Sequence, residues 1–341
     1  MLMHTKPILG ILLGDSVGVG PEIVAKTAAS GFLSEHCRPI IIGDKRIFER
    51  GLNTVGMDMP HYCITKVNQA DWAKGIPILD QRDQNPAAIP MGQASIECGR
   101  AINHMIELAC ELCLSGEIEG FCFGPFNKSV MIEAGCTFES EHHLFAHIFG
   151  VTGPFGEINV LNNLMTTRTT SHIPISAVSQ HLTTEAILRA ITLSYNTVKS
   201  AGVEKPRLGI AALNPHAGEG GRCGREELDV IEPAIRKANE MGMGAEGPYP
   251  ADILFIKAFQ GDFDSVVTMY HDQGQIALKL RGFDQGVTVA GGQPFPIATC
   301  AHGTAYDIAG KGIASTSSFK NAVIITVRMA LVKRREKATY L

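Results

Sequence analysis

One tryptophan stands among 341 residues, aromatic side chains make up 6% of the chain, and 30 lysines and arginines fall short of 34 aspartates and glutamates. A net charge of −4 removes the positive footprint that nucleic-acid binders carry, so an anionic ligand has to be met by a local cluster. Long apolar runs are also missing. The run at residues 8–13 falls far short of the roughly 20 residues that span a bilayer. It lacks a small-residue cleavage site and leads straight into Gly14-Asp15, so it reads as a buried strand and not as a signal or membrane segment. No internal repeat, low-complexity tract or flexible linker interrupts the sequence. The nine cysteines are odd in number, scattered and without zinc-ribbon spacing, which fits reduced, mostly buried thiols in a cytoplasmic protein.

Hydrophobic residues at 45% and charged residues at 19% describe a globular chain, and its length predicts two domains or subdomains. Residues 8–13, 38–43, 121–123, 158–162, 207–213, 253–258 and 265–269 read as strands. Helices are predicted over 21–29, 93–114, 184 to near 202, and 226–241, with Asp44 placed to cap another. This alternation is an α/β pattern. Gly14, Gly18 and Gly20 lie in a glycine-rich loop that suits a phosphate or a plain structural turn; the spacing is not the dinucleotide fingerprint.

Chemistry concentrates between residues 269 and 312. His271, Asp272, Gln273 and Lys279 stand close together, with Gly274 relieving the backbone among them. Further on, His302 and Asp307 flank the small residues Gly303, Thr304 and Ala305, which let a flat or charged ligand approach the main chain. Elsewhere, His172 and His216 each follow a strand-like segment, as His271 does. Three neutral imidazoles suit zinc or another borderline divalent metal and leave a coordination position open, although spacing alone does not bring them together. Asp252 and Asp272 are candidates for proton transfer or for orienting the histidines. Lys128 is either near a ligand or solvated. His143 and His147, four apart, share a helix face that either binds metal or, the preferred reading, begins a helix with polar residues.

The run HGTAYDIAGKGIA resembles the cofactor loop of the isocitrate and isopropylmalate dehydrogenase superfamily. GDSVGVGPEI (14–23), LNPHAGEGG (213–221) and YHDQG (270–274) resemble, more narrowly, the 4-hydroxythreonine-4-phosphate dehydrogenase family. The resemblance implies an α/β fold of two α/β/α subdomains with an interdomain cleft. One subdomain would take residues 1–25, 125–210 and 305–341, and the other residues 26–124 and 211–304. It implies a metal- and nicotinamide-dependent dehydrogenase of a hydroxy acid like 4-phosphohydroxy-L-threonine, with coupled β-decarboxylation. The metal would be zinc, or else magnesium, cobalt, nickel or manganese, held by His172, His216 and His271. NAD or NADP would lie on His302, Gly303, Thr304 and Asp307, and Lys279 would anchor the substrate. A homodimer is implied, with His142 reaching the partner's site. The chain departs from the family at His143 (threonine there), Thr288 (asparagine), Ile297 (arginine) and Ala301 (aspartate). These departures touch the substrate positions His142, His143, Thr288 and Ile297, and an isoleucine cannot make the bidentate phosphate contact of an arginine. An unphosphorylated or cyclic dihydrodiol carboxylate, a phosphate acyltransferase, and a non-catalytic metabolite-binding paralogue stand as alternatives.

Overall fold

The five residues of β1 (Ile8–Leu12) carry no polar side chain, and a strand with nothing to offer water must be covered on both faces. The computed structural model, which describes residues 5–282 and 284–339, covers it so, with Leu9, Ile11 and Leu12 fully buried. The chain divides into two units. The first takes in the chain up to Val151, Val287–Val289 and the residues from Gln293 onward; the second is Thr152–Gly286 with Ala290–Gly292.

After β1, the first unit forms β2 (Arg38–Gly43), β3 (His61–Ile64), β4 (Ile76–Asp80) and β5 (Phe121–Phe123). The second forms β6 (Gly156–Leu161), β7 (Leu164–Arg168), β8 (Leu208–Ala211), β9 (Ala245–Tyr249) and β10 (Ser265–Thr268), and β11 (Val287–Gly291) and β12 (Ile297–Cys300) follow. In the first unit the strand order is β3-β4-β2-β1-β5-β12-β11, parallel apart from the β11–β12 pair. In the second it is β6-β7-β10-β8-β9, parallel apart from β6–β7. Helices such as Gly20–Ala29, Ile96–Leu114 and Thr184–Ser200 alternate with these strands, so the α/β pattern read from the sequence holds. Within β10, Val267 packs with Ile187, Ile191 and Ile235, while its neighbour Val266 packs with Leu254, Phe255 and Phe263. Successive side chains point to opposite faces, and both faces are core.

One predicted strand is a helix. Residues 253–258 lie inside the helix Ala251–Gln260, where Leu254, Phe255 and Ala258 are buried while Ile253 and Ile256 stay exposed. That is the i, i+1, i+4 spacing of a helical stripe, and a six-residue apolar run does not separate it from a buried strand. The predicted helix over 226–241 begins as a π-turn at Glu227–Ile231 before the regular helix Glu232–Glu240. Cys110 and Cys113 have C-x-x-C spacing, yet both are buried on the helix Ile96–Leu114. Burial pushes the Cys113 thiol up to about 12 and Cys110 higher still, so neither resembles a reactive redox pair.

Asp44 caps the helix Lys45–Val55 as predicted. Its carboxylate accepts from Arg46 N at 2.9 Å, Arg46 Nη2 at 2.6 Å and Gln84 N at 3.3 Å. Burial alone would raise its pKa, but these bonds and the arginine's charge hold it below the ordinary 3.8. Asp44→Ala is expected to lower unfolding free energy by about 1–2 kcal/mol at pH 7, read by urea denaturation. A carboxyl depressed in the folded state stabilises above its unfolded pKa, so the gap between the two proteins should close as the pH falls below 3.8 through the folded pKa.

Candidate functional site

In the second unit β7, β10 and β8 are adjacent and parallel, so the segments leaving their carboxyl ends emerge along one edge. Open α/β sheets place ligands there. Beyond β7, Thr169 N donates to Thr268 O at 2.8 Å, and Thr170 donates to Met269 O through N at 3.1 Å and Oγ1 at 2.8 Å. This lashing carries the β7 exit alongside the β10 exit. It leaves the His172 and His271 rings 5.7 Å apart between centroids. A pocket of about 230 Å³ opens beside them, lined by Thr170, Ile173, Ile175, Tyr270 and Asp272 as well as the two histidines.

The β8 exit delivers His216 by a different device. Residues His216, Ala217, Gly218, Glu219 and Gly220 all have positive φ, three of them without the freedom of glycine. Such strain persists only where neighbours over-determine it. Here the Glu227 carboxylate, buried at the π-turn, accepts from Leu213 N at 2.9 Å, Asn214 N at 2.8 Å and Asn214 Nδ2 at 3.0 Å. Glu226 accepts from Ser179 Oγ at 2.6 Å and Asn214 Nδ2 at 2.7 Å, and those two bonds hold its carboxyl below the usual range. Gln273 adds a bridge, accepting from Met269 N and donating to Ala212 O, both at 2.7 Å.

His216 Nδ1 meets Glu219 Oε1 at 2.7 Å, and His271 Nδ1 meets Asp272 Oδ1 at 2.7 Å. An imidazole so engaged at Nδ1 keeps Nε2 for a cation. The structure brings His172 and His271 together. The His216 side chain, 75% exposed, is not beside that pair, and among the described residues no group of three or more histidine, cysteine, aspartate or glutamate side chains is arranged to hold a metal. Asp252 is exposed in the first turn of the helix Ala251–Gln260, and Lys279 is exposed on the helix His271–Gly282, which His271 itself begins. The supports Glu219, Glu226 and Glu227 escaped the sequence reading; a glutamate three positions after His216 was the one available signal for Glu219.

In the first unit Lys128 Nζ lies 3.3 Å from Glu141 Oε2, so this lysine is paired and not merely solvated. His142 is buried, with Nε2 3.8 Å from Glu141 Oε1 and its carbonyl accepting from Gln293 Nε2 at 3.3 Å. His143 Nδ1 meets Ser140 Oγ at 2.9 Å and His147 packs on Phe138, which fits the polar helix start preferred above. Thr288 on β11 is nearly buried. Ile297, expected among the substrate contacts, is 0% exposed on β12 beside β5, so its side chain meets core residues and not a ligand. An isoleucine in an apolar strand between paired strands belongs to the core first.

The segment from His302 to Asp307 also lies in the first unit. His302 Nδ1 meets Gly303 O at 3.0 Å, and no atom stands within 4 Å of where a Cβ on Gly303 would be, so the main chain there is open to a ligand. The glycine loop of residues 14–20 serves as a structural turn against this segment. A Cβ on Gly18 would lie 2.9 Å from Thr304 O, and one on Gly14 would lie 2.6 Å from the carbonyl carbon of Gly124.

Among the described residues no helix is long and apolar enough to cross a membrane. Residues 35–326 match the family described as pyridoxal phosphate biosynthetic protein PdxA. A Pseudomonas aeruginosa relative, provisionally named 4-hydroxythreonine-4-phosphate dehydrogenase 2, is 44% identical over 95% of this chain and 97% of its own. The D-threonate 4-phosphate dehydrogenase of Cupriavidus necator is 35% identical over 93% of this chain and 95% of its own. The crystal structure of a 4-hydroxythreonine-4-phosphate dehydrogenase from Burkholderia phymatum superposes with a TM-score of 0.82 at 36% identity, covering 96% of this chain and 99% of that one. The motifs, the fold and these likenesses agree, and the chain belongs to the PdxA family.

Proposed function

We propose that this protein is a metal- and nicotinamide-dependent dehydrogenase that oxidises the CH–OH group of a 4-phosphohydroxy-L-threonine-like acid, with coupled β-decarboxylation. The observation that carries the reading is the pair of neighbouring rings, His172 and His271, at the exits of the adjacent parallel strands β7 and β10, with His216 following the next parallel strand, β8. The donor set fits a borderline cation, zinc first, because two of the three imidazoles are engaged at Nδ1 and keep Nε2 for it. Such a cation supplies Lewis acidity toward an alcohol and then a carbonyl, and NAD or NADP accepts the hydride. His172 and His271 would hold such a cation, and His216 would join them from its strained turn once its exposed side chain is drawn to the pair. Asp272 and Glu219 orient the imidazoles. Asp252 is a second carboxylate for proton transfer, and Lys279 meets the anionic end of the substrate. His142, His143 and Thr288 complete the substrate's surroundings, and His302, Gly303, Thr304 and Asp307 receive the adenosine part of the cofactor.

A homodimer with sites shared through His142 belongs to the same reading, and the uncovered Ile276 and Leu280, one helical turn apart, support an apolar contact. A cytoplasmic setting accords with nine free cysteines.

Purified protein supplied with zinc should reduce NAD or NADP, read by absorbance of the reduced nicotinamide, with 4-phosphohydroxy-L-threonine, 4-phospho-D-threonate or 4-phospho-D-erythronate. Silence on all three would overturn the substrate assignment. His172→Ala, His216→Ala and His271→Ala should each weaken metal retention by at least roughly tenfold, since losing even an outer hydrogen bond costs about that much. Unchanged metal content by elemental analysis in His216→Ala would remove that histidine from the set.

A further inference from the structure

Two buried carboxylates in the first unit have no part in the chemistry above, and both hold the same loop. Glu22, in the first turn of the helix Gly20–Ala29, is 3% exposed. It accepts from the backbone amides of Gly310 at 2.9 Å, Gly312 at 3.5 Å and Ala314 at 3.4 Å. Asp15, fully buried, accepts from the Tyr306 hydroxyl at 2.5 Å and from Val17 N at 3.1 Å. The Tyr306 hydroxyl in turn accepts from Asn127 Nδ2 at 2.7 Å, and Val19 N donates to Thr304 O at 2.9 Å. Gly18 permits that last contact by having no Cβ.

Burying a carboxylate is costly unless hydrogen bonds replace its water, and the chain does so twice against one segment. Burial raises Asp15 above 3.8 against the lowering bonds from Tyr306 and Val17, and burial together with Asp15 pushes Tyr306 up to about 12. The anchored points are Thr304 and Tyr306 on one side of Asp307 and Gly310, Gly312 and Ala314 on the other. Between them, and at Gly303, the loop presents its exposed surface.

We propose that Asp15 and Glu22 are positioning residues for the nicotinamide cofactor: by holding Tyr306 on one side of Asp307 and the amides of Gly310, Gly312 and Ala314 on the other, they fix the path of the loop that receives the adenosine part, without touching the cofactor. This rests on the assignment of residues 302–307 as the cofactor loop. Asp15 acts through the Tyr306 hydroxyl, and Glu22 acts through three amides. The expected signature is a loss of cofactor affinity with little change toward the other substrate, because none of the residues that Asp15 and Glu22 hold is among those assigned to the acid.

The test is fluorescence titration of zinc-supplemented protein with NADH and NADPH, alongside KM for the acid substrate. Tyr306→Phe removes one oxygen, and Glu22→Gln keeps the shape of the side chain. Each should raise the cofactor dissociation constant roughly five- to tenfold while KM for the acid moves less than about twofold. Hydrogen exchange at Gly310, Gly312 and Ala314 should quicken in Glu22→Gln even without cofactor. Asp307→Ala separates the two levels. If it binds cofactor like the parent protein, the loop assignment fails and the proposal with it. If Asp307→Ala weakens binding but Tyr306→Phe and Glu22→Gln do not, the loop assignment stands and the positioning proposal is overturned. Parallel losses in cofactor affinity and acid KM would also overturn it, as general damage. Should Glu22→Gln fail to fold, Tyr306→Phe decides the matter.

Discussion

Parallel pairing of β7, β10 and β8 is the constraint from which the site in the second unit follows. Parallel neighbours end on the same edge, so whatever follows each strand starts from that edge whatever the distance in sequence. His172, His216 and His271 span a hundred residues of chain and still leave that edge together. The pairing also dictates what surrounds them. Beyond the strand ends the hydrogen bonds that shape the exits are made by Thr170, Asn214 and Gln273.

The two histidine exits differ in mechanical character. The β7 and β10 segments run side by side, tied by backbone and threonine bonds, and their rings meet as a result. The β8 exit instead coils into a left-handed turn whose strain is balanced by the buried Glu227. The first arrangement follows from strand pairing reinforced by Thr170; the second depends on carboxylates further along the chain, Glu227 above all.

Much of the fold was legible because its signals are local: apolar strands before glycine loops, and Asp44 at a helix start. Residues 253–258 were not, since six apolar residues satisfy both periodicities, and the deciding fact, which of them face Phe263 and Val266, is tertiary. Of the candidate site, the placing of His172, His216 and His271 after strands was legible, while the meeting of His172 with His271 was not. The site's supports were less legible. Glu22 reads as an ordinary first-turn acid, and Asp15 as a loop aspartate, until the chain brings residues from nearly three hundred positions away onto them. The burial of Ile297 was equally hidden, because a motif position records which residue stands there and not whether the side chain reaches a surface.

Glu22 binds amides and not side chains, and this bears on how the chain can change over generations. A clamp that recognises main chain is blind to most substitutions in the segment it holds, glycine-dependent turns apart. Exposed positions such as Lys311 are therefore free to drift or be exchanged while the path of the loop is inherited unchanged. Structural heritability and side-chain variability are thus assigned to different atoms of the same residues.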